Sequence, residues 1–240
     1  MAAEVTLYGL SSPNVMKVVV MLEEIELPYH FLPINIWTHE QFSESFQELN
    51  PNSKVPVLID PEGPDGDPIT LFESGAILIY LAEKSGRFLP PAPKARYATL
   101  QWLMVQMGSI GPMFGQATHF RRSGPDGSSY ALDRYVSEVH RLFEVIEARL
   151  GVAAWLGGSD YSIADMATYP WISMYYEANG VVLDRFPAVG RWLAANAARP
   201  AVQRVEAFWV GLQAEDMARR AQADADGFDH LFGRGRYARK

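Results

Sequence analysis

The chain has 240 residues, is 48% hydrophobic and carries a net charge of −7 with a pI near 5.3. That is enough apolar material for one large core or two modest ones, and too acidic a balance for nucleic acid or an anionic membrane to be the main partner. There is no cysteine, which excludes disulfide scaffolds, thiolate zinc sites and a protein-borne cysteine nucleophile, so any thiol chemistry must use a thiol carried by a ligand. The first five residues lack the basic and apolar regions of a signal peptide, and no apolar run reaches membrane-spanning length, so the expectation is a cytoplasmic protein. The histidines (His30, His39, His119, His140, His230) show no metal-ligand spacing, and no metal site is expected.

Val5-Thr6-Leu7-Tyr8 reads as a short strand ending at Gly9. Ser12-Pro13-Asn14 then supplies N-cap, N1 and N2 of a helix running to about Ile25, because proline is favoured at N1. Tyr29 to Ile36 is apolar but interrupted by Pro33, which suits an edge strand. Gln41 to Leu49 is a short amphipathic helix. Val57-Leu58-Ile59 and Ile69-Thr70-Leu71 are strands joined by the turn residues Gly63-Pro64-Asp65-Gly66. A helix capped by Ser74 closes at Gly86. The order β-α-β-α-β-β-α predicts a small mixed sheet covered by helices over residues 1–87.

The proline cluster at Leu89-Pro90-Pro91-Ala92-Pro93 cannot continue a helix and marks a linker over 88–94. Beyond it an all-helical domain is expected over 95–212. Leu132, Val136, Val139, Phe143, Ile146 and Leu150 step by four and three along one buried face that stops at Gly151. Ser162-Ile163-Ala164-Asp165 is a reciprocal helix-start signal, with Tyr161 and Met166 placed as a hydrophobic staple. Pro170 should kink the following helix and Asn179-Gly180 should end it. Pro187 to Arg199 is a further helix stopped at Pro200, and a second Gly-Pro-Asp-Gly, Gly124 to Gly127, is another turn. The charged tail over 213–240, with Arg234, Arg236, Arg239 and Lys240 near its end, is expected to fray or drape on the surface.

The densest chemical signal lies at the entry to the predicted hairpin and just after it. In Asn52-Ser53-Lys54-Val55-Pro56-Val57 the proline opens a β-branched run, which makes Val55-Pro56 a candidate cis bond. In Leu71-Phe72-Glu73-Ser74-Gly75-Ala76-Ile77 an acidic residue precedes a helix whose first N–H groups and positive dipole end attract an anion. A cation for Glu73 and an anion for Ser74, on one small ligand, describes an amino acid or a peptide.

Together these motifs resemble a cytosolic glutathione transferase, a resemblance that covers roughly residues 4 to 210. It rests on the Pro56 loop, the Glu73-Ser74 pair, the proline linker and the Ser162-to-Asp165 box. Within the family, Ser12-Pro13-Asn14, Asn50 through Pro56 and Leu71 through Glu83 are most similar to the bacterial Nu class and to the globular domain of a fungal nitrogen-catabolite regulator. Thr99-Leu100-Gln101-Trp102 and Gly111-Pro112-Met113 with Gly115-Gln116 add to the match. The resemblance implies a thioredoxin-like N-terminal domain, an all-α C-terminal domain and a homodimer.

By this resemblance Ser74 takes the γ-glutamyl carboxylate of glutathione, and Glu73 its ammonium. Val55, beside Pro56, pairs with the cysteinyl backbone of the ligand, while Gln41 and Lys54 hold the glycine carboxylate. Ser74 also has a plain role as a helix cap, and Lys54 as a solvated charge. Pro56, Ser162 and Asp165 are structural. Glutathione's thiol has an unperturbed pKa of ~8.5, and lowering it by roughly two units takes ~2.7 kcal/mol of preferential anion stabilisation. Ser12, with Asn14 at the same helix start, is the candidate for that role; the Nu-class pattern has threonine there, and serine lacks the methyl that fixes its rotamer. Ser11 is the alternative if the loop register differs by one. Tyr8 is the alternative suggested by other classes, although alternation with Thr6 explains it as a strand side chain. Arg134 would reach a second glutathione, or stand exposed among Asp133, Glu138 and Arg141. Trp37, Phe114, His119 and Phe120 either line a second-substrate site or are ordinary core. Three functions follow: glutathione-dependent disulfide reduction without protein cysteine, conjugation of glutathione to an electrophilic small molecule, and a non-enzymatic glutathione-binding regulatory module.

Overall fold

The computed structural model describes residues 4–124 and 129–238. The turn expected through Pro125 to Gly127, the basic end at Arg239 and Lys240 and the first three residues lie outside that range. The chain forms two compact units, Met1–Ile77 with Arg204–Lys240, and Leu78–Gln203.

The first unit is built on a four-stranded sheet in the order β2-β1-β3-β4. The strands are β1 (Val5–Gly9), β2 (Tyr29–Pro33), β3 (Val57–Asp60) and β4 (Ile69–Phe72). β2 runs parallel to β1, whereas β3 pairs antiparallel with both β1 and β4. Pro33 closes β2, which lies at the edge of the sheet as its proline requires. Strand β1 alternates as the period-2 pattern demands: Val5, Leu7 and Gly9 are buried, Thr6 and Tyr8 half-buried. Helix α1 (Pro13–Ile25) starts at the predicted cap, with Ser12 extended and its hydroxyl oxygen accepting the Val15 N–H. The amphipathic stretch divides into a 3₁₀ turn, Glu40–Phe42, and α2 (Glu44–Leu49), because Ser43 caps a new helix by accepting from the Phe46 N–H. The Val55-Pro56 bond is cis.

Helix α3 (Ser74–Ser85) corrects the sequence reading by one residue. Glu73, not Ser74, is the cap: its backbone is left-handed at φ 70 and its carbonyl accepts the Ile77 N–H at 3.0 Å. Ser74 is the first helical residue. Gly86, at φ 67, ends the helix where glycine is cheapest.

The second unit contains α4 (Pro93–Val105), α5 (Gly111–Ser123), α6 (Ser129–Val152), α7 (Ile163–Tyr175) and α8 (Pro187–Ala197). A π-helical turn, Gln106–Ile110, joins α4 to α5. On α6 the predicted stripe is buried from Val139 to Leu150 and half-buried at Leu132 and Val136. Phe143 packs on Phe114 and Phe186 at centroid distances of 5.9 and 5.3 Å. The Asp165 carboxylate, fully buried, accepts from the Ser162 N–H and hydroxyl on one oxygen and from Leu156 N–H and Trp192 Nε1 on the other. Burial pushes its pKa up while those four donors oppose the shift. Helix α7 passes through Pro170 and gives way at Tyr175 to a 3₁₀ turn, Glu177–Asn179, closed by Gly180 at φ 72.

Pro200 opens a helix rather than only stopping one. α9 (Pro200–Ala221) continues well past Gln213, and α10 (Ala225–Phe232) follows it. The tail is therefore not frayed over these residues. Its buried stripe (Val202, Val205, Trp209, Leu212 and Asp216) repeats at three and four residues, and Asp224 caps α10 by accepting the Gly227 N–H at 2.7 Å. Among the described residues no helix is long and apolar enough to cross a membrane.

Candidate functional site

Sheet register brings the chemical motifs to one end of the first unit. Tyr8 pairs with Val57, and Val57 with Phe72, so these three residues form one row across β1, β3 and β4. Strands β1 and β4 leave the sheet at that row, and β3 enters it there. The loop Gly9 to Ser12, the Val55-Pro56 pair and the Glu73-Ser74 pair therefore emerge side by side. Strand β2, parallel to β1, ends at the same edge and leads into the Ile34-to-Gln41 segment.

The β1–α1 loop is tight because Gly9 has no side chain. A Cβ there would lie 2.5 Å from Val15 Cγ1 and 3.1 Å from the Phe31 ring. The Gly9 carbonyl accepts the Ile34 N–H at 2.8 Å, and the Ser12 N–H turns back to the Leu10 carbonyl at 2.7 Å. Ser12 Oγ accepts the Val15 N–H at 3.4 Å, a long bond that leaves the hydroxyl proton to donate elsewhere. Ser12 and Asn14 are half-buried at the start of α1. Tyr8 packs edge-on against Phe46 at 6.2 Å, beside the buried cluster of Ile34, Phe46 and Val57, which favours the strand-side-chain account of it.

The loop before β3 is shaped by Asn50. Its Nδ2 donates to the Lys54 carbonyl at 2.7 Å, its Oδ1 accepts the Asn52 N–H at 2.9 Å, and its carbonyl accepts the Ser53 N–H. Ser53 is thereby held at φ 54, with the Lys54 side chain outside. Val55 stands two residues before β3, outside the ladder. Gln41 is buried; its Nε2 lies 3.5 Å from the Ile36 carbonyl and its Oε1 meets no partner. To donate to a carboxylate its amide must turn.

The Glu73-Ser74 end holds a group that sequence reading does not single out. Lys17, on α1, is 1% exposed and places Nζ 3.3 Å from Ser74 Oγ. Burial lowers its pKa to about 7, against the pull of the Glu73 carboxylate. Ser74 Oγ thus accepts from a buried lysine at the start of α3. Glu73 is exposed, and its left-handed backbone is uncommon outside glycine. The available signal for Lys17 was its position as the lone cation in the apolar run Val15 to Leu22.

Two further candidates fall in the second unit. Arg134 is exposed and reaches Glu138 at 3.5 Å, but Arg141 holds that carboxylate more closely with two bonds of 3.0 and 2.6 Å. Phe114 is fully buried and stacked on Phe143, which makes it core rather than a lining residue. Phe120 stacks on Tyr135 and touches His119. Trp37, in the first unit, packs against Phe228 of α10.

Comparison with known proteins identifies the family. The glutathione S-transferase N-terminal domain model matches residues 3–83, and the C-terminal domain model residues 109–200. The chain belongs to the glutathione S-transferase family. It is 43% identical over 198 residues to the disulfide-bond oxidoreductase YfcG of Escherichia coli, covering 82% of this chain and 92% of that one. A glutathione transferase family member from Pseudomonas fluorescens, crystallised with two glutathione bound, is 48% identical with a TM-score of 0.79 over 84% of this chain and 92% of its own. A glutathione transferase from Pseudomonas putida, with one glutathione disulfide bound per subunit, is 45% identical at the same TM-score, covering 84% and 90%.

Proposed function

We propose that this protein is a glutathione-dependent disulfide reductase. The observation that carries the reading is the convergence of the Ser12 loop, Val55 and the Glu73-Ser74 helix start at one end of the sheet. Relatives named as disulfide-bond oxidoreductases and structures holding glutathione or its disulfide support the same chemistry.

Glu73 takes the γ-glutamyl ammonium, and Ser74, polarised by Lys17, donates to the γ-glutamyl carboxylate at the positive end of α3. The backbone of Val55 extends the sheet to the cysteinyl unit, with Lys54 at the glycine carboxylate. Ser12 donates to the glutathione sulfur, and Asn14 completes the helix start beside it. Stabilising the thiolate is the protein's chemical contribution. The thiolate attacks one sulfur of the disulfide, its S–S bond breaks, and one thiolate leaves to be protonated. A second glutathione attacks the mixed disulfide, releasing the other thiol and glutathione disulfide, so two glutathiones are oxidised for each disulfide reduced. Arg134 recognises the second glutathione, the enzyme acts as a homodimer, and it works in the cytoplasm.

Steady-state reduction of 2-hydroxyethyl disulfide by glutathione, with the product recycled by glutathione reductase, tests this. Turnover well above the uncatalysed exchange is expected. A rate equal to that exchange rejects the reading and leaves conjugation to an electrophile, or glutathione binding alone, to be separated by calorimetry.

A further inference from the structure

The family match ends at residue 200, yet the chain from Arg204 onward belongs to the same compact unit as the sheet. Its contacts are specific. Arg204 pairs with Glu23 at 2.6 Å, and Phe208 meets Phe31 at 5.5 Å. Phe228 packs on Trp37 at 5.1 Å, with Arg220 over both rings. His230 sits against His39 at 4.3 Å and Phe42 at 4.7 Å, and Tyr237 stacks on its other side at 4.1 Å. With Lys54, Asn52 and Ser53, residues His230 to Gly233 line a cavity of about 710 Å³.

One of these contacts reaches the loop that carries Ser12. Asp216, on the buried stripe of α9 and 9% exposed, accepts the Ser11 N–H on Oδ2 at 2.5 Å. Its other oxygen faces Arg219 at 3.3 Å, and Arg219 also reaches Glu215. Both carboxylate oxygens are therefore engaged, and the bond to Ser11 is short and charge-assisted. Among the described residues the Ser11 N–H has no backbone acceptor. The side chain of Ser12 lacks the methyl that would restrict its rotamer, and its cap bond to Val15 is long.

We propose that Asp216 is a positioning residue for the thiolate-activating loop, supplied by the C-terminal segment: it fixes the Ser11 backbone so that the Ser12 hydroxyl points at the glutathione sulfur. The proposal rests on the reading of Ser12 given above. It makes α9 part of the active site rather than an appendage. Misplacement of a single donor at an anion is costly in the transition state while substrate binding, held elsewhere, is spared.

The test compares D216A and D216N in the full chain. Three readouts are used: kcat and KM for glutathione in disulfide reduction, the ultraviolet thiolate band of bound glutathione, and the Ser11 amide resonance. D216A is expected to lower kcat roughly tenfold, with KM for glutathione within about twofold, and to weaken the thiolate band. D216N retains an oxygen acceptor for Ser11 and should restore most of both. In D216A the Ser11 amide proton should move upfield as its short bond is lost. If the wild type binds glutathione but reduces no disulfide, the functional reading fails, and the thiolate band with the Ser11 resonance still decides this proposal. It is overturned if D216A keeps the wild-type thiolate band, or if D216N loses as much as D216A.

Discussion

Lys17→Met separates the two opposing effects of burying a cation beneath the ligand site. The ammonium is lowered from 10.5 to about 7, a difference of 3.5 pH units, or about 5 kcal/mol at roughly 1.4 kcal/mol per unit. The sign follows from linkage. Between pH 7 and 10.5 the unfolded chain holds a proton on Lys17 that the folded chain does not, so stability rises with pH across that window. Below pH 7 both states are protonated and the full desolvation cost is present. Methionine fills the same volume without a charge, but leaves Ser74 Oγ without the lysine bond, which costs about 1 kcal/mol. K17M should therefore be more stable than the wild type by about 2–4 kcal/mol at pH 6, a difference shrinking toward zero near pH 10.

Denaturant unfolding of both proteins at pH 6, 7.5 and 9 measures this directly. On the proposed placement of glutathione the same substitution should raise its KM, because Ser74 would then meet the γ-glutamyl carboxylate without a cation behind it. A gain in stability with a loss of affinity is the expected pattern where a site is kept strained for binding. The reasoning is refuted if K17M is less stable than the wild type at pH 6. Lys17 would then be a net-favourable ion pair with Glu73, its attraction exceeding its desolvation.

Ser12→Ala should lower kcat for disulfide reduction by roughly 10²-fold while glutathione affinity by calorimetry changes little, as expected for a donor used mainly by the developing thiolate. Ser74→Ala should do the converse, raising KM for glutathione about tenfold with a smaller change in kcat. Asp165→Ala strips the acceptor from Leu156 N–H, Trp192 Nε1 and both donors of Ser162; a loss of about 3–5 kcal/mol in denaturant unfolding is expected. Arg134→Ala should shift stability by less than about 0.5 kcal/mol, since Glu138 keeps Arg141, so a raised KM for glutathione would report on ligand contact alone.

Local rules carried much of this fold because its punctuation is local. Ser12-Pro13 starts α1, Pro33 confines β2 to the edge, and Ser162 with Asp165 starts α7; each depends on residues within a turn of one another. The error at Ser74 was of the same scale. A serine before an apolar helix reads as a cap, but the left-handed Glu73 takes that role, and no propensity predicts a glutamate at φ 70. Such a residue is held by its surroundings, and it falls where the ligand's ammonium is expected.

Long-range electrostatics was less legible. Lys17 and Ser74 are 57 residues apart, and Ser11 and Asp216 are 205 apart, so neither pairing leaves a mark in any local window. Each nevertheless left half of a signature: a charge where the helical period calls for an apolar side chain. Lys17 interrupts the otherwise apolar run Val15 to Leu22 of α1, and Asp216 occupies the next position of the stripe Val205, Trp209, Leu212. A buried charge is too costly to be retained without a partner. Reading the tail by its composition, as charged and therefore loose, averaged over the one aspartate whose phase on the helix showed that it faces inward. Phase rather than charge content distinguishes a solvated tail from a packed segment: it turns Asp216 inward, and the bond from the Ser11 N–H then sets that carboxylate against the loop that carries Ser12.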